Sequence, residues 1–298
     1  MEHKQLYKTD YSNNSIFCIN VSYIHMAKYK EISTIDGYFW EKKEKDSLVE
    51  HADGSIIRYC PYSDTGGYNI CLNYLQKASS GVINLLEELK KYNLEYDKLA
   101  EYAILFLSYK LNQHSKYSGT NLNDFYTDHI KNNKYYNNKI NGYYGPTFKD
   151  IIDRKKDLMN TNEMYKFNDP FKILFSFYNE INKNNQSCIS CSTKANEFVK
   201  NFKELNEDYN IVGNTSYRGI LSTLSDDYYN FKSYCAENCN GCNDLPTLPK
   251  IKTPLTILIP VISKFSVISL FLGVAYKVNN NKYILFLVYF IIIHKIYI

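Results

Sequence analysis

Eight cysteines carry the most chemically suggestive spacing in this chain: Cys18, Cys60, Cys71, Cys188, Cys191, Cys235, Cys239 and Cys242. Cys188-x-x-Cys191 with Cys239-x-x-Cys242 resembles two zinc knuckles, since thiolates two residues apart can close on one tetrahedral ion. The long stretch between the knuckles, flanked by helical patterns, argues against a compact zinc ribbon. Cys235-x3-Cys239-x2-Cys242 has the spacing of a radical-SAM iron–sulfur triad. That chemistry needs an α/β barrel behind the triad, whereas a proline-bearing linker follows here. Disulfides are the preferred reading. Cys60 and Cys71 bracket a turn and can close a small loop. The Cys188/Cys191 pair can reach the Cys235–Cys242 group, and each such cross-link stabilises by about 2–4 kcal/mol. Connectivity cannot be read from spacing, so Cys60, Cys71, Cys188, Cys191, Cys235, Cys239 and Cys242 all stand as candidates.

Other catalytic patterns are missing. There is no phosphate loop, no H-E-x-x-H and no G-x-S-x-G. The six histidines are scattered, and His114 and His129 are expected on solvated faces. Asp226 and Asp227 are adjacent on a helix, so they diverge and do not form a carboxylate pair. No catalytic residue, cofactor or small-molecule substrate is expected. The only metal alternative is zinc at Cys188, Cys191, Cys239 and Cys242. Sequons at Asn13, Asn20, Asn185 and Asn214 give weak support for an exported domain.

The elements behind these residues read as helices. The chain has 298 residues, with 30 Tyr but only 12 Gly and 7 Pro. So few breakers argue against a many-turned all-β chain. The balance of 35 basic and 31 acidic residues, with no dense basic run, excludes a dedicated nucleic-acid binder. Residues 1–45 are polar and weakly patterned. A helical region follows Cys60–Gly67, with a break expected near Ser79–Gly81. Tyr96–Asn112 is apolar nearly all round in its middle and should be the central buried helix. Asn121, Thr147 with Asp150, and Asp169-Pro170 are start signals. Three stripes are read as core: Phe171–Ile181, Ala195–Leu205 and Tyr217–Cys235. Asn132–Asn141 is expected to be a polar loop.

The carboxyl end differs. Residues 255–276 form an apolar run carrying one charge, Lys264, and one breaker, Pro260. At ~1.5 Å rise per residue that length covers a ~30 Å hydrocarbon core. A single transmembrane helix over 255–277 is therefore expected, reached through a linker at 245–254. Lys250 and Lys252 on one side balance Lys277 and Lys282 on the other, so charge does not set the orientation. The fold expected is all-α: a disulfide-braced helical ectodomain at 46–244 followed by one C-terminal transmembrane helix.

Several blocks are familiar. Arg58-Tyr59-Cys60-Pro61-Tyr62 resembles the "YCP" signature of the malaria-parasite PIR family, the Yir/Bir/Cir variant antigens. Leu99–Gln113 is similar to that family's "AEYAILWLSYKLNQ" helix, with Phe106 where Trp is usual. Leu122–Thr127, Tyr165–Phe171, Leu221–Tyr228 and Phe271–Lys277 follow in family order. The resemblance implies a mostly helical ectodomain, a membrane anchor, and a place on the infected red-cell or parasite membrane. It also implies a role in antigenic variation, with a lipid bilayer and host proteins or antibodies as partners. It brings no catalytic residues. The alternatives are an adhesin for one fixed host receptor and a metal-dependent enzyme using the cysteine clusters. Two segments depart from the family. Residues 1–25 match nothing in it, which makes Met26 an alternative start. Residues 278–298 replace the usual basic tail with an apolar stretch and are read as translated intron.

Overall fold

The computed structural model describes residues 27–45, 47–160, 162–181, 188–238, 242 and 244–254. The chain divides into two units, Met1–Ile251 and Lys252–Ile298. Only 252–254 of the second are described, so the architecture below is that of the first. The expected span at 255–277, the tail at 278–298 and residues 1–26 lie outside the described residues. No helix among the described residues is long and apolar enough to cross a membrane.

The centre of the first unit is a helix with no solvent-facing side in its middle. Every residue from Leu99 to Leu111 in α3 (Tyr96–Gln113; the α-helices are numbered in chain order) is buried. Its neighbour α2 (Tyr74–Leu89) starts where the Asn73 side chain accepts from the Gln76 N–H, a standard N-cap. The break expected at Ser79–Gly81 is absent, and α2 runs straight through. The two serines turn their hydroxyls outward to other elements, Ser80 to the Ile56 carbonyl at 2.5 Å and Ser79 to the His129 carbonyl at 2.9 Å. A Cβ on Gly81 would stand 3.0 Å from the Phe39 ring and 3.4 Å from that of Phe106. The small residues mark close approach of other chain segments, not a helix end.

The remaining helices follow their start signals. Asn121 caps α4 (Leu122–Phe125), accepting from the Asn123 and Asp124 N–H groups. Thr147 and Asp150 form a reciprocal capping box on α5 (Phe148–Asp153). Asp here does the work that Glu or Gln more often does. α6 (Asn168–Ile181), α7 (Cys188–Glu207), α8 (Tyr209–Gly213) and α9 (Thr215–Asn238) complete the order. Phe171, Leu174, Phe175, Ala195, Phe198, Phe202, Leu205, Tyr217, Ile220, Leu221, Leu224, Tyr228, Phe231 and Cys235 are all buried, so the described members of all three stripes are core. The Asn132–Asn141 segment is only partly a polar loop, because Tyr136 and Ile140 plug into the core.

The boundary expected between residues 45 and 46 does not exist. Residues 27–36 form helix α1, and Tyr29, Ile32, Ile35 and Phe39 belong to the main core. An antiparallel hairpin follows, β1 (Phe39–Glu44) against β2 (Ser47–Ala52), in register from Phe39↔Ala52 to Glu44↔Ser47. The supposed boundary falls in its turn. The hairpin escapes a reading by hydrophobic alternation because only Phe39 is buried in FWEKKE. A second, two-residue pairing joins β3 (Tyr62–Ser63) to β4 (Asn69–Ile70).

Candidate interaction surface

The two buried charges of the central helix, Glu101 and Lys110, and the aspartate facing it are satisfied inside the protein. Asp227 of α9 is 2% exposed and accepts from Lys28, from the Tyr29 hydroxyl, and from the Tyr102 hydroxyl at 2.6 Å. Burial, then the Asp227 charge, pushes the Tyr29 and Tyr102 phenols well above their ordinary range, so both stay protonated donors. One turn away, Glu101 accepts from Thr223 and pairs with Lys155 at 3.0 Å. Lys110, toward the other end of α3, donates to the Asp36 carboxylate at 2.8 Å and to the Phe39 carbonyl at 2.6 Å. Burial pulls its ammonium below the ordinary value although Asp36 pulls the other way. Buried ions without such partners would each cost several kcal/mol.

These contacts join the sequence blocks singled out above. Glu101 and Tyr102 of the 99–113 block meet Thr223 and Asp227 of the 221–228 block. Asn168 of the 165–171 block donates to the Ser108 carbonyl at 3.5 Å, and the Tyr59 N–H beside Cys60 donates to Ser80 at 3.2 Å. The 58–62, 99–113, 165–171 and 221–228 blocks thus supply joints of the scaffold, and the Phe271–Lys277 block lies outside the described residues. Asp226 and Asp227 diverge as their adjacency requires, but Asp227 goes inward, which their spacing alone does not show. His114 corrects the expectation of a solvated face. It is 4% exposed, lies 3.2 Å from Glu50 and 3.4 Å from Glu41, and touches the Tyr74 and Tyr117 rings. His129 is half-buried, and burial lowers its pKa.

Cys60 and Cys71 are joined by a disulfide, with Cα atoms 4.9 Å apart. Cys242 is buried and also disulfide-bonded. It therefore has no thiolate to give the four-cysteine zinc set of Cys188, Cys191, Cys239 and Cys242. Cys191 and Cys235 are buried in the core. Cys18, Cys239 and the Cys188 side chain lie outside the described residues, so the connectivity at this end stays open. Among the described residues no group of three His, Cys, Asp or Glu side chains could hold a metal ion.

What faces outward is different in kind. The disulfide closes a loop carrying the β3–β4 pairing, and its turn is held where Asp64 accepts from the Tyr68 N–H at 2.7 Å. Gly67 supplies the turn's left-handed residue, φ +83°. The loop and its flanks expose Tyr62, Ile70, Leu72 at 67% and Tyr68 at 70%. A second projection carries Tyr143 and Tyr144, exposed by 83% and 95%. Lys139 holds its backbone by donating to the Tyr143 carbonyl at 2.6 Å. Both are short loops with large amphipathic side chains on a rigid base, the kind of surface that loses little entropy on binding.

Fold and surface together describe a helical, disulfide-braced scaffold that uses its buried charges, Lys28, Glu101, Lys110 and Asp227, as joints and presents aromatic loops to its surroundings. The chain belongs to the Plasmodium variant antigen protein Cir/Yir/Bir family, whose model matches residues 29–277. The match begins inside α1, in keeping with the place of that helix in the core. Among solved structures it is similar to one described as the structure of a Plasmodium PIR protein ectodomain. The identity is 31%, covering 77% of this chain and 99% of that chain, with a TM-score of 0.58. No curated protein matches the sequence.

Proposed function

We propose that this chain is a membrane-anchored variant surface antigen with no catalytic role, held by the apolar segment at 255–277 and acting in antigenic variation and host interaction. Membership of the variant antigen family supports the antigen role, and the 22-residue run from 255 to 276 supports the anchor. The observation that carries the reading is the division of labour within the chain. Buried residues of the described family blocks, Glu101, Tyr102 and Asp227 among them, form joints, while Tyr68, Tyr143 and Tyr144 sit exposed on loops outside those blocks, where side chains can change without breaking a joint. The partners are host proteins or antibodies, reached from the surface of the infected red cell or of the parasite. Protease shaving of intact infected cells, followed by blotting with an antibody to residues 60–72, tests the proposal. Loss of the full-length band is expected; complete protection would place the protein on an internal membrane and end the surface role.

A further inference from the structure

A cleft of about 320 Å³ opens where the last turn of α3, the Ser118–Thr120 turn, the start of α4 and the Met164–Tyr165 turn converge. Its size lies at the lower end of the roughly 300–1,000 Å³ range typical of small-molecule sites. No lining side chain is charged. The nearby cation Lys166 is taken up by Glu163 and by Asp208 at 2.6 Å. An anion would find no counter-charge, and a metal ion no carboxylate.

The lining has three parts. Leu111, Leu122 and Met164 supply an apolar floor. Tyr165, 57% exposed, stands at the rim. Between them are hydrogen-bonding groups with unused capacity. The Ser118 hydroxyl donates to the Asn112 side-chain oxygen at 3.2 Å, while the Asn112 amide nitrogen makes no bond among the described residues. The Thr120 hydroxyl donates to the Tyr117 carbonyl at 2.7 Å, leaving its lone pairs to accept. The hydroxyl of Ser108, a residue only 6% exposed, also makes none among the described residues. Behind it, Asn168 donates to the Ser108 carbonyl, yet its own side-chain oxygen is buried without a partner. The open capacity at Ser108, Asn112 and Thr120 on the cleft wall favours a ligand that brings hydroxyl groups.

We infer that this cleft binds a neutral polyhydroxylated ring, a hexose either free or at the end of a glycan, with Tyr165 against its C–H face and Ser108, Asn112 and Thr120 bonded to its hydroxyls. The inference goes beyond the surface-antigen reading and does not rest on it. Saturation-transfer NMR on the full-length chain tests it, in a detergent without a sugar headgroup. The probes are D-glucose, D-galactose and N-acetyl-D-glucosamine, with glucose 6-phosphate as the charged control. Transfer to at least one neutral sugar is expected, and weaker transfer to the phosphate. Tyr165→Ala should weaken binding about tenfold, the equivalent of one lost contact of ~1.4 kcal/mol. Tyr143→Ala, on the separate aromatic loop, should leave it unchanged. Methyl glycosides of the same sugars distinguish the sources, since binding equal to the free sugar points to a glycan end and loss of binding to a free sugar. If no neutral sugar shows transfer, or if transfer survives Tyr165→Ala undiminished, the inference is wrong.

Discussion

Replacing Lys28 by Met should be among the most damaging single changes available outside the apolar core. Lys28 is 3% exposed and Asp227 2%, so the carboxylate left behind has no route to water. It keeps two phenol donors, Tyr29 and Tyr102, but loses its only cationic partner among the described contacts. Breaking a buried pair from one side costs about 3–5 kcal/mol, a large part of the ~5–15 kcal/mol that holds a domain folded. Removing one phenol by Tyr102→Phe should cost less, about 1.5–3 kcal/mol for a bond to a charged group. The double variant Lys28→Met with Asp227→Leu removes both charges and should recover most of the loss, because well-packed apolar residues often match a buried ion pair. Urea unfolding followed by circular dichroism of the unmodified chain, Lys28→Met, Asp227→Leu and the double variant gives the four corners of the cycle. Hydrogen exchange adds a spatial readout, since in Lys28→Met the amides of α1 should lose protection first. A Lys28→Met protein with an unchanged urea midpoint would mean that the α1–α9 joint is not made, and the account of a closed polar core would fall.

Gly81→Ala gains about 1 kcal/mol of helix propensity but drives a methyl against the buried Phe39 ring. At about 1–3 kcal/mol for overpacking the balance should be destabilising, and a raised melting temperature would contradict it. Ser at both Cys60 and Cys71 should cost about 2–4 kcal/mol, visible as a lower melting temperature without reductant and a smaller further drop on adding it, since the Cys242 disulfide remains. Burial raises the Asp208 carboxyl, but Lys166 and the Asn210 and Ile211 N–H groups outweigh it, so the net pKa lies below the ordinary value. The unfolded chain therefore takes up this proton first. Stability from Asp208 is complete above about pH 4, the unfolded value, and is lost as pH falls through the folded one. Asp208→Asn should flatten this acid limb in pH-resolved unfolding curves. The anchor predicts that the full-length chain pellets with membranes after alkaline carbonate extraction; recovery in the supernatant would refute a spanning segment.

How much of this was legible beforehand depended on range along the chain. Helix stripes, caps and the Cys60–Cys71 turn are local patterns, so spacing alone revealed them: Thr147 and Asp150 are three residues apart, Phe171 and Leu174 likewise. The apolar run at 255–276 is legible for the same reason. The buried joints were not. Lys28 and Asp227, or Glu101 and Thr223, are far apart in sequence, and a charged residue on a stripe looks solvated until its partner is placed. The same blindness hid α1, whose Tyr29–Ile32–Ile35 stripe was a readable signal lost among polar neighbours. It hid His114 as well, whose two carboxylates arrive from the β1–β2 hairpin. Patterning along the chain determined which segments are helices and which faces turn inward. Only packing decided which charges meet, because burial leaves an ion stable only where a distant segment supplies its counterpart.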